Sequence, residues 1–275
     1  MKTRIIVAAI CLPLAFIVLF FLPPYVLAAV VAIICACSAY ELLYSVYSKD
    51  NVRIHIYAAF SAALIPIGAY FDLGALVFPA VLFVLMCLIS VEAIIVFRTK
   101  RQIKFAHILI TLFGGALIPM LLSCLVSLRI MQDGRLLVLL PVISAFSTDA
   151  GAYFTGVFFG RTRAFPLVSP KKTVEGYIGG LVAGTGAIVL YGVVLVYTTL
   201  HLVNLWALIL FGAIGAVVSQ LGDLVFSLVK REYDIKDYGR ILPGHGGVLD
   251  RFDSMIFTAP AMYLLAVLIP IFVAI

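Results

Sequence analysis

Charged side chains are concentrated in one segment of this chain, residues 227–253, between two long apolar runs. Ten of the 32 Lys, Arg, Asp and Glu residues lie there: Lys230, Arg231, Glu232, Asp234, Lys236, Asp237, Arg240, Asp250, Arg251 and Asp253. Four glycines prevent a continuous helix through the segment: Gly239, Gly244, Gly246 and Gly247. In a chain that is 64% hydrophobic, charge gathered in this way indicates a polar active-site loop at a membrane surface.

The carboxylates of this region are placed to bind a hard cation. Asp223 lies on the helix that enters the segment and Asp250 lies near its exit, so the two can converge. Mg²⁺ takes one or two carboxylates together with phosphate oxygens and water. A metal with neighbouring Lys and Arg neutralises phosphate charge, which suits phosphoryl or nucleotidyl transfer.

His245 lies among the glycines of the same segment. It is a candidate phosphate contact or acid/base group, and a loop histidine bonded to the backbone is an equally good interpretation. Gly246 and Gly247 would let backbone N–H groups approach a phosphate closely.

A second basic segment, residues 161–176, predicts an anion site. Pro170 suits the first turn of a helix and Ser169 would then be its cap, which leaves free N–H groups near Lys171 and Lys172. The alternative is a basic loop that only contacts anionic lipid headgroups.

Five acids fall inside apolar runs, where a carboxylate costs a few kcal/mol: Glu41, Glu92, Asp149, Glu175 and Asp223. Glu41 and Glu92 are near helix ends, and we expect interfacial carboxylates with hydrated head groups. Asp149 has small and hydroxylated neighbours, which suit a helix face lining a polar cavity. Asp149 and Asp223 are therefore the functional candidates.

The elements that must position these groups are membrane-spanning helices. Most of the apolar runs exceed the roughly 18 residues that indicate a spanning helix, so the chain is predicted to be an all-α, polytopic integral membrane protein. About nine spans are predicted, at residues 5–22, 24–47, 53–71, 74–97, 105–129, 135–158, 174–199, 204–229 and 253–274.

The distribution of basic residues predicts the orientation. With the N-terminus inside, 17 of the 19 Lys and Arg residues fall in connections on the cytoplasmic side. This predicts an N-in, C-out topology and places residues 160–173 and 230–252 on the same side. The net charge of +6 then has a membrane explanation and is no argument for nucleic acid. We expect one continuous membrane domain, with hydrophobic helices in 1–130 and the catalytic helices and loops in 131–275.

The charged segment closely resembles the signature of the phosphatidate cytidylyltransferases, or CDP-diacylglycerol synthases. The matching residues are Ser227, Lys230, Arg231, Lys236, Asp237, Gly239, Leu242, Pro243, His245, Gly246, Gly247, Asp250, Arg251 and Asp253. The resemblance extends to residues 149–153, 169–176 and 220–223, although the family often has another residue at the position of Ala150. Before residue 130 the likeness is only that of hydrophobic helices.

The resemblance implies transfer of CMP from CTP to phosphatidate, with release of pyrophosphate and with Mg²⁺, and it allows a second cation. It implies a homodimer in the inner membrane, with a cytoplasm-facing cavity open to lipid. The implied metal ligands are Asp223 and Asp250, and we add Asp149 as a third candidate. The implied phosphate contacts are Lys171, Lys172, Lys230, Arg231 and Arg251. The implied nucleotide pocket or supporting residues are Ser169, Lys236, Asp237, His245, Gly246, Gly247 and Asp253.

Other functions remain as alternatives. A transporter would also place acids in helices, but it would more often show repeated halves with broken helices. A CTP-dependent polyprenol kinase would share the nucleotide and the membrane but would release CDP. A CDP-alcohol phosphotransferase is disfavoured because its Asp-Gly and Ala-Arg motif with trailing aspartates is absent from the sequence.

Overall fold

A computed structural model describes residues 9, 13–46, 51–99, 101–199, 202–241 and 246–273. Helices dominate it, and four short strands form two antiparallel pairs. The helices are α1 (Pro24–Val46), α2 (Val52–Tyr70), α3 (Gly74–Ile95), α4 (Phe105–Leu112), α5 (Ile118–Ile130), α6 (Gly134–Leu137), α7 (Leu139–Phe159), α8 (Val174–Thr199), α9 (Leu205–Glu232) and α10 (Leu249–Leu268). The strands are β1 (Arg163–Phe165), β2 (Ser169–Thr173), β3 (Leu202–Val203) and β4 (Phe272–Val273).

Eight helical segments of the described chain are long and apolar enough to cross a membrane. One of them, Phe105–Ile130, combines α4 and α5 through a π-helical turn at Phe113–Leu117. The eight correspond to the second to ninth predicted spans. The first predicted span, 5–22, falls partly outside the described residues, and its described end carries a π-helical turn at Ile17–Phe21. The predicted class, an all-α multi-pass membrane protein, is confirmed.

The chain divides into two compact units. The first consists of Met1–Arg135 with Tyr233–Phe252. In it, α1 packs on α2, and α2 packs on α3 and α5. Buried Arg129 stabilises this unit, because its Nε and Nη2 each donate a hydrogen bond of 3.0 Å, to the carbonyls of Leu19 and Leu22.

The second unit consists of Leu136–Glu232 with Asp253–Ile275. Small residues let α7, α8 and α9 approach closely. A Cβ added at Gly180 would lie 2.9 Å from the Thr148 carbonyl oxygen, and one at Gly184 would lie 3.0 Å from the Ala216 Cβ. Such spacing leaves no room for a side chain, and it brings polar groups on the three helices within reach of one another.

The predicted helix start at Pro170 is wrong, and so is the cap at Ser169. Ser169–Thr173 is strand β2, which pairs antiparallel with β1. Pro is tolerated here because both strands of a two-stranded sheet are edges. Helix α8 begins at Val174, and the Thr173 hydroxyl caps it by accepting the Gly176 N–H at 3.1 Å.

The last helix begins earlier than predicted. It starts at Leu249 rather than near residue 253, so Asp250 and Arg251 lie in its first turn and not in a loop. An acidic residue is favourable in that turn because the helix dipole presents partial positive charge there.

Candidate active site

Three aspartates of the second unit form a group, which we call the acid cluster: Asp149 on α7, Asp223 on α9 and Asp253 on α10. Asp223 is near enough to both of the others for their charges to interact, and so are Asp149 and Asp253. Asp149 is accessible and Asp223 is partly accessible, as carboxylates that meet a ligand must be. Like charges gathered among apolar helices are unfavourable unless cations neutralise them.

Close packing of α9 against the second-unit part of α10 brings Asp223 and Asp253 together. A Cβ added at Gly222 would lie 2.9 Å from the Asp253 carbonyl oxygen and 3.0 Å from the Phe257 ring. The Phe226 and Phe257 rings meet edge to face, with centroids 6.5 Å apart. The glycine immediately before Asp223 therefore sets the separation of the two acids.

Two lysines neutralise the acid cluster. The Lys172 ammonium forms an ion pair with the Asp223 carboxylate, and it also lies near Asp149. The Lys230 Nζ lies 4.0 Å from Asp253 Oδ2. The Lys172 and Asp223 side chains are 27% and 28% exposed, so an incoming anion can reach this pair.

Hydrogen bonds orient the groups around Lys172 and Asp223. The Ser227 hydroxyl donates to Asp223 Oδ1 at 3.3 Å, one helical turn along α9. The Lys172 ammonium lies 5.8 Å from the centroid of the Tyr177 ring, which is a cation–π distance. Gln220 Nε2 donates to the Tyr177 carbonyl at 3.0 Å and links α9 to α8.

The β1–β2 hairpin carries the predicted anion-binding lysines and is fixed at several points. The Arg231 Nε donates to the Val168 carbonyl at 3.2 Å, and an Arg163 Nη donates to the Lys171 carbonyl at 3.0 Å. The Glu175 carboxylate accepts the Thr162 N–H at 3.2 Å. Lys171 itself is exposed, and Ser169 is partly buried.

The remaining described site residues belong to the first unit and lie on or beside the connecting loop, which the structure describes at residues 233–241 and 246–248. Asp250 Oδ2 accepts two backbone N–H groups, from Tyr238 at 2.9 Å and from Gly247 at 3.0 Å. Gly246 has φ of +89°, a conformation that favours glycine, and it lies near both Asp237 and Asp250. Asp250 therefore orders the loop, whatever else it binds.

Three further predicted residues are exposed: Lys236, Asp237 and Arg251. The predicted His245 lies outside the described residues, together with positions 242–244.

Glu41 contradicts the expectation of a hydrated interfacial carboxylate. It is only 3% exposed, and its Oε2 accepts the Leu249 N–H at 3.0 Å. The backbone N–H that faces Oε2 offsets part of the cost of burying this carboxylate. No spacing rule in the sequence could have found a contact between positions 208 residues apart.

The donor set of the acid cluster fits Mg²⁺. Over the described ranges, no group of three or more His, Cys, Asp or Glu side chains has the geometry to hold a metal ion by itself. Mg²⁺ does not need one, since it uses one or two carboxylates and completes its shell with phosphate oxygens and water. The accessible carboxylates of Asp149 and Asp223 supply oxygen donors of this kind.

A model described as the cytidylyltransferase family matches residues 2–269. The chain belongs to the cytidylyltransferase family. The resemblance found in the charged segment thus extends over nearly the whole chain, including the hydrophobic first half.

Curated proteins from three bacteria that resemble the chain are each named phosphatidate cytidylyltransferase. The protein from Thermotoga maritima is 33% identical over 96% of this chain and 95% of its own length. The proteins from Staphylococcus haemolyticus and Bacillus subtilis are 43% and 44% identical, over 50% of this chain. These two alignments span about half the length of the relatives, 51% and 49%.

Proposed function

We propose that this protein transfers CMP from CTP to phosphatidate, giving CDP-diacylglycerol and pyrophosphate. A phosphate oxygen of phosphatidate attacks the α-phosphorus of CTP, and the bond from that phosphorus to the pyrophosphate oxygen breaks. A phosphate monoester is substantially ionised at pH 7, so the reaction needs no strong general base. The demands on the protein are positioning and charge neutralisation.

The observation that carries this proposal is the acid cluster with its two lysines. Oxygen donors of the kind that a hard cation takes lie beside ammonium groups of the kind that binds phosphate, and the Asp149, Asp223 and Lys172 side chains are at least partly accessible. A lipid phosphate and a nucleotide triphosphate are substrates that need both kinds of group at once. The name of the relative from Thermotoga maritima, aligned over nearly its full length, supports the same reaction.

Mg²⁺ is the proposed metal, and bound there it would neutralise charge on the phosphates. Asp223 and Asp149 are the proposed ligands within the acid cluster, and Asp253 is a nearby supporting carboxylate. Asp250 stays a proposed ligand, and its Oδ2 also orders the connecting loop. A second cation is part of the proposal.

Lys172 is the proposed first contact of the incoming phosphates. Its ammonium is paired with Asp223 and partly exposed, so it can bind a phosphate while it stays beside the carboxylate. The other proposed phosphate contacts are Lys171, Lys230, Arg231 and Arg251. The nucleotide would be held by Ser169, Lys236, Asp237, His245, Gly246, Gly247 and Asp253.

The membrane arrangement belongs to the same proposal. Nine spans with the N-terminus inside and the C-terminus outside would place the basic connections in the cytoplasm, where CTP is found. The acyl chains of phosphatidate would stay in the bilayer while its phosphate enters a cavity that opens sideways to lipid. The proposed setting is the inner membrane, and the proposed assembly is a homodimer without nucleic acid.

A product assay on the purified protein tests the proposal. CTP labelled in its α-phosphate is mixed with Mg²⁺ and phosphatidate in detergent micelles, and label in lipid is followed together with pyrophosphate release. Equal amounts of labelled lipid and pyrophosphate are expected. CDP release without labelled lipid would indicate a lipid kinase instead, and no reaction by folded protein would refute an enzymatic function with these substrates.

A further inference from the structure

A buried carboxylate outside the acid cluster contacts the connecting loop and the start of α10. Glu41 lies near the end of α1, and its Oε2 accepts the N–H of Leu249, the first residue of α10. Backbone groups of Val248 and Ile241 also lie close to this carboxylate. One side chain therefore contacts the loop on both sides of residues 242–245.

Two glycines of the loop lie so close to the same carboxylate that neither leaves room for a side chain. A Cβ added at Gly239 would collide with Glu41, and its three nearest atoms would all belong to that side chain. A Cβ added at Gly247 would lie 2.5 Å from Glu41 Oε2 and 2.7 Å from the backbone N of Gly239. Gly239 has no positive φ, so it is close contact with Glu41 and not backbone conformation that requires glycine there.

The loop that Glu41 holds also contains proposed nucleotide-binding groups. Gly247 donates its N–H to Asp250, and Gly246 packs beside Asp237 and Asp250. A carboxylate that fixes Leu249 fixes the start of the helix that carries Asp250. The spacing between the glycines and Asp250 thus depends on a residue of the first spanning helix after the N-terminal segment.

We propose that Glu41 is a positioning residue for CTP binding, because it fixes Gly239, Gly247 and the start of α10 in the conformation that receives the nucleotide. This inference rests on the proposed function. The proposal gives Glu41 no contact with the reacting atoms, and its role is exerted through Gly239, Gly247 and Leu249.

The first test is Glu41→Gln, which keeps the shape of the side chain and removes its charge. A hydrogen bond to a charged group is lost or weakened, so we expect the KM for CTP to rise about 10- to 100-fold while the KM for phosphatidate changes little. Glu92→Gln is the matched control. It makes the same chemical change in the same unit, at a carboxylate whose ion-pair partner is Arg53, 3.9 Å away. It should leave both constants unchanged.

A second readout needs no activity. The connecting loop has exposed trypsin sites at Lys236 and Arg240. We expect Glu41→Gln to be cut there several times faster than wild type without substrate, and Glu92→Gln to be cut at the wild-type rate. Failure of wild type to transfer CMP would refute the proposed function alone, whereas wild-type cleavage of Glu41→Gln would refute the positioning role.

Paired substitutions guard against a variant that simply folds poorly. Gly239→Ala alone should severely impair CMP transfer. In the Glu41→Ala background it should impair CMP transfer little further, since the three atoms nearest to the added Cβ all belong to Glu41. Gly247→Ala should stay harmful in both backgrounds, because the backbone of Gly239 also blocks it. An equal penalty for Gly239→Ala in both backgrounds would overturn the inference, as would a parallel loss of affinity for CTP and phosphatidate.

Discussion

Replacement of Gly222 by alanine should separate the two acids that its packing brings together. The added methyl group would lie 2.9 Å from the Asp253 carbonyl oxygen and 3.0 Å from the Phe257 ring. Comfortable carbon contacts begin near 3.5 Å, so the two helices must move apart locally by about 0.5 Å. Asp253 moves with its backbone, and Asp223 is the next residue after the substitution.

The size of the effect follows from this displacement. Overpacking of this kind costs about 1–3 kcal/mol of folding free energy, which corresponds to a melting temperature lower by roughly 2–10 °C. A shift of 1 Å at a catalytic constellation costs up to about 100-fold in rate. We therefore expect Gly222→Ala to lower kcat for CMP transfer by about 10-fold while most of the protein stays folded.

The assay is CMP transfer in detergent, with thermal unfolding of the same samples. Gly186→Ala is the control, because a Cβ added at Gly186 on α8 meets nothing within 4 Å. It should keep wild-type activity and an unchanged or slightly higher melting temperature. The reasoning is refuted if Gly222→Ala retains wild-type kcat, or if Gly186→Ala is equally impaired.

Three further outcomes are expected, two from contacts in the structure and one from the proposed metal. Thr173→Ala should lower stability by about 1 kcal/mol through loss of the α8 cap, and Thr173→Ser should restore it, as measured by thermal unfolding. Arg129→Met should cost about 2–3 kcal/mol, because two carbonyls lose their charged donor, and equal melting temperatures would contradict this. Chelation should abolish CMP transfer and added Mg²⁺ should restore it. The Asp223→Asn variant should need far more Mg²⁺ than wild type for the same activity, and an unchanged Mg²⁺ requirement would remove Asp223 from the proposed ligands.

The spanning helices are predictable because their physical cause is local. Each needs a long apolar run, and each run ends at prolines, glycines or charges that the sequence displays directly. The predicted span at 24–47 and the observed Pro24–Val46 agree because proline is tolerated in the first turn of a helix, where its missing N–H would have no partner in any case.

The errors arise where a distant partner decides the local conformation. Ser169-Pro170 has a good helix-start pattern, but pairing with Arg163–Phe165 keeps the segment extended and moves the helix start to Val174. Glu41 is expected to meet water because its position near a helix end is visible in the sequence, whereas its backbone partner at Leu249 is not.

The site is predictable in its residue types and less so in its grouping. Asp149 and Asp223 are recognisable in the sequence because a carboxylate within a membrane span is costly and is therefore a functional candidate. That Asp253 joins them depends on the contact at Gly222, and helix packing of this kind leaves no periodic signal. The sequence therefore indicates the chemistry of these carboxylates but not which of them are neighbours.

The β1–β2 hairpin has a thermodynamic consequence for substrate binding. A free basic loop would lose conformational entropy when a phosphate ordered it, at a cost of roughly 1–2 kcal/mol for each backbone residue. Here, hydrogen bonds from Arg231, Arg163 and Thr162 already restrict the backbone that carries Lys171 and Lys172. Most of that ordering occurs when the chain folds. In the proposed reaction, the attraction of these ammonium groups for phosphate would therefore appear as affinity and would not be consumed in immobilising the loop.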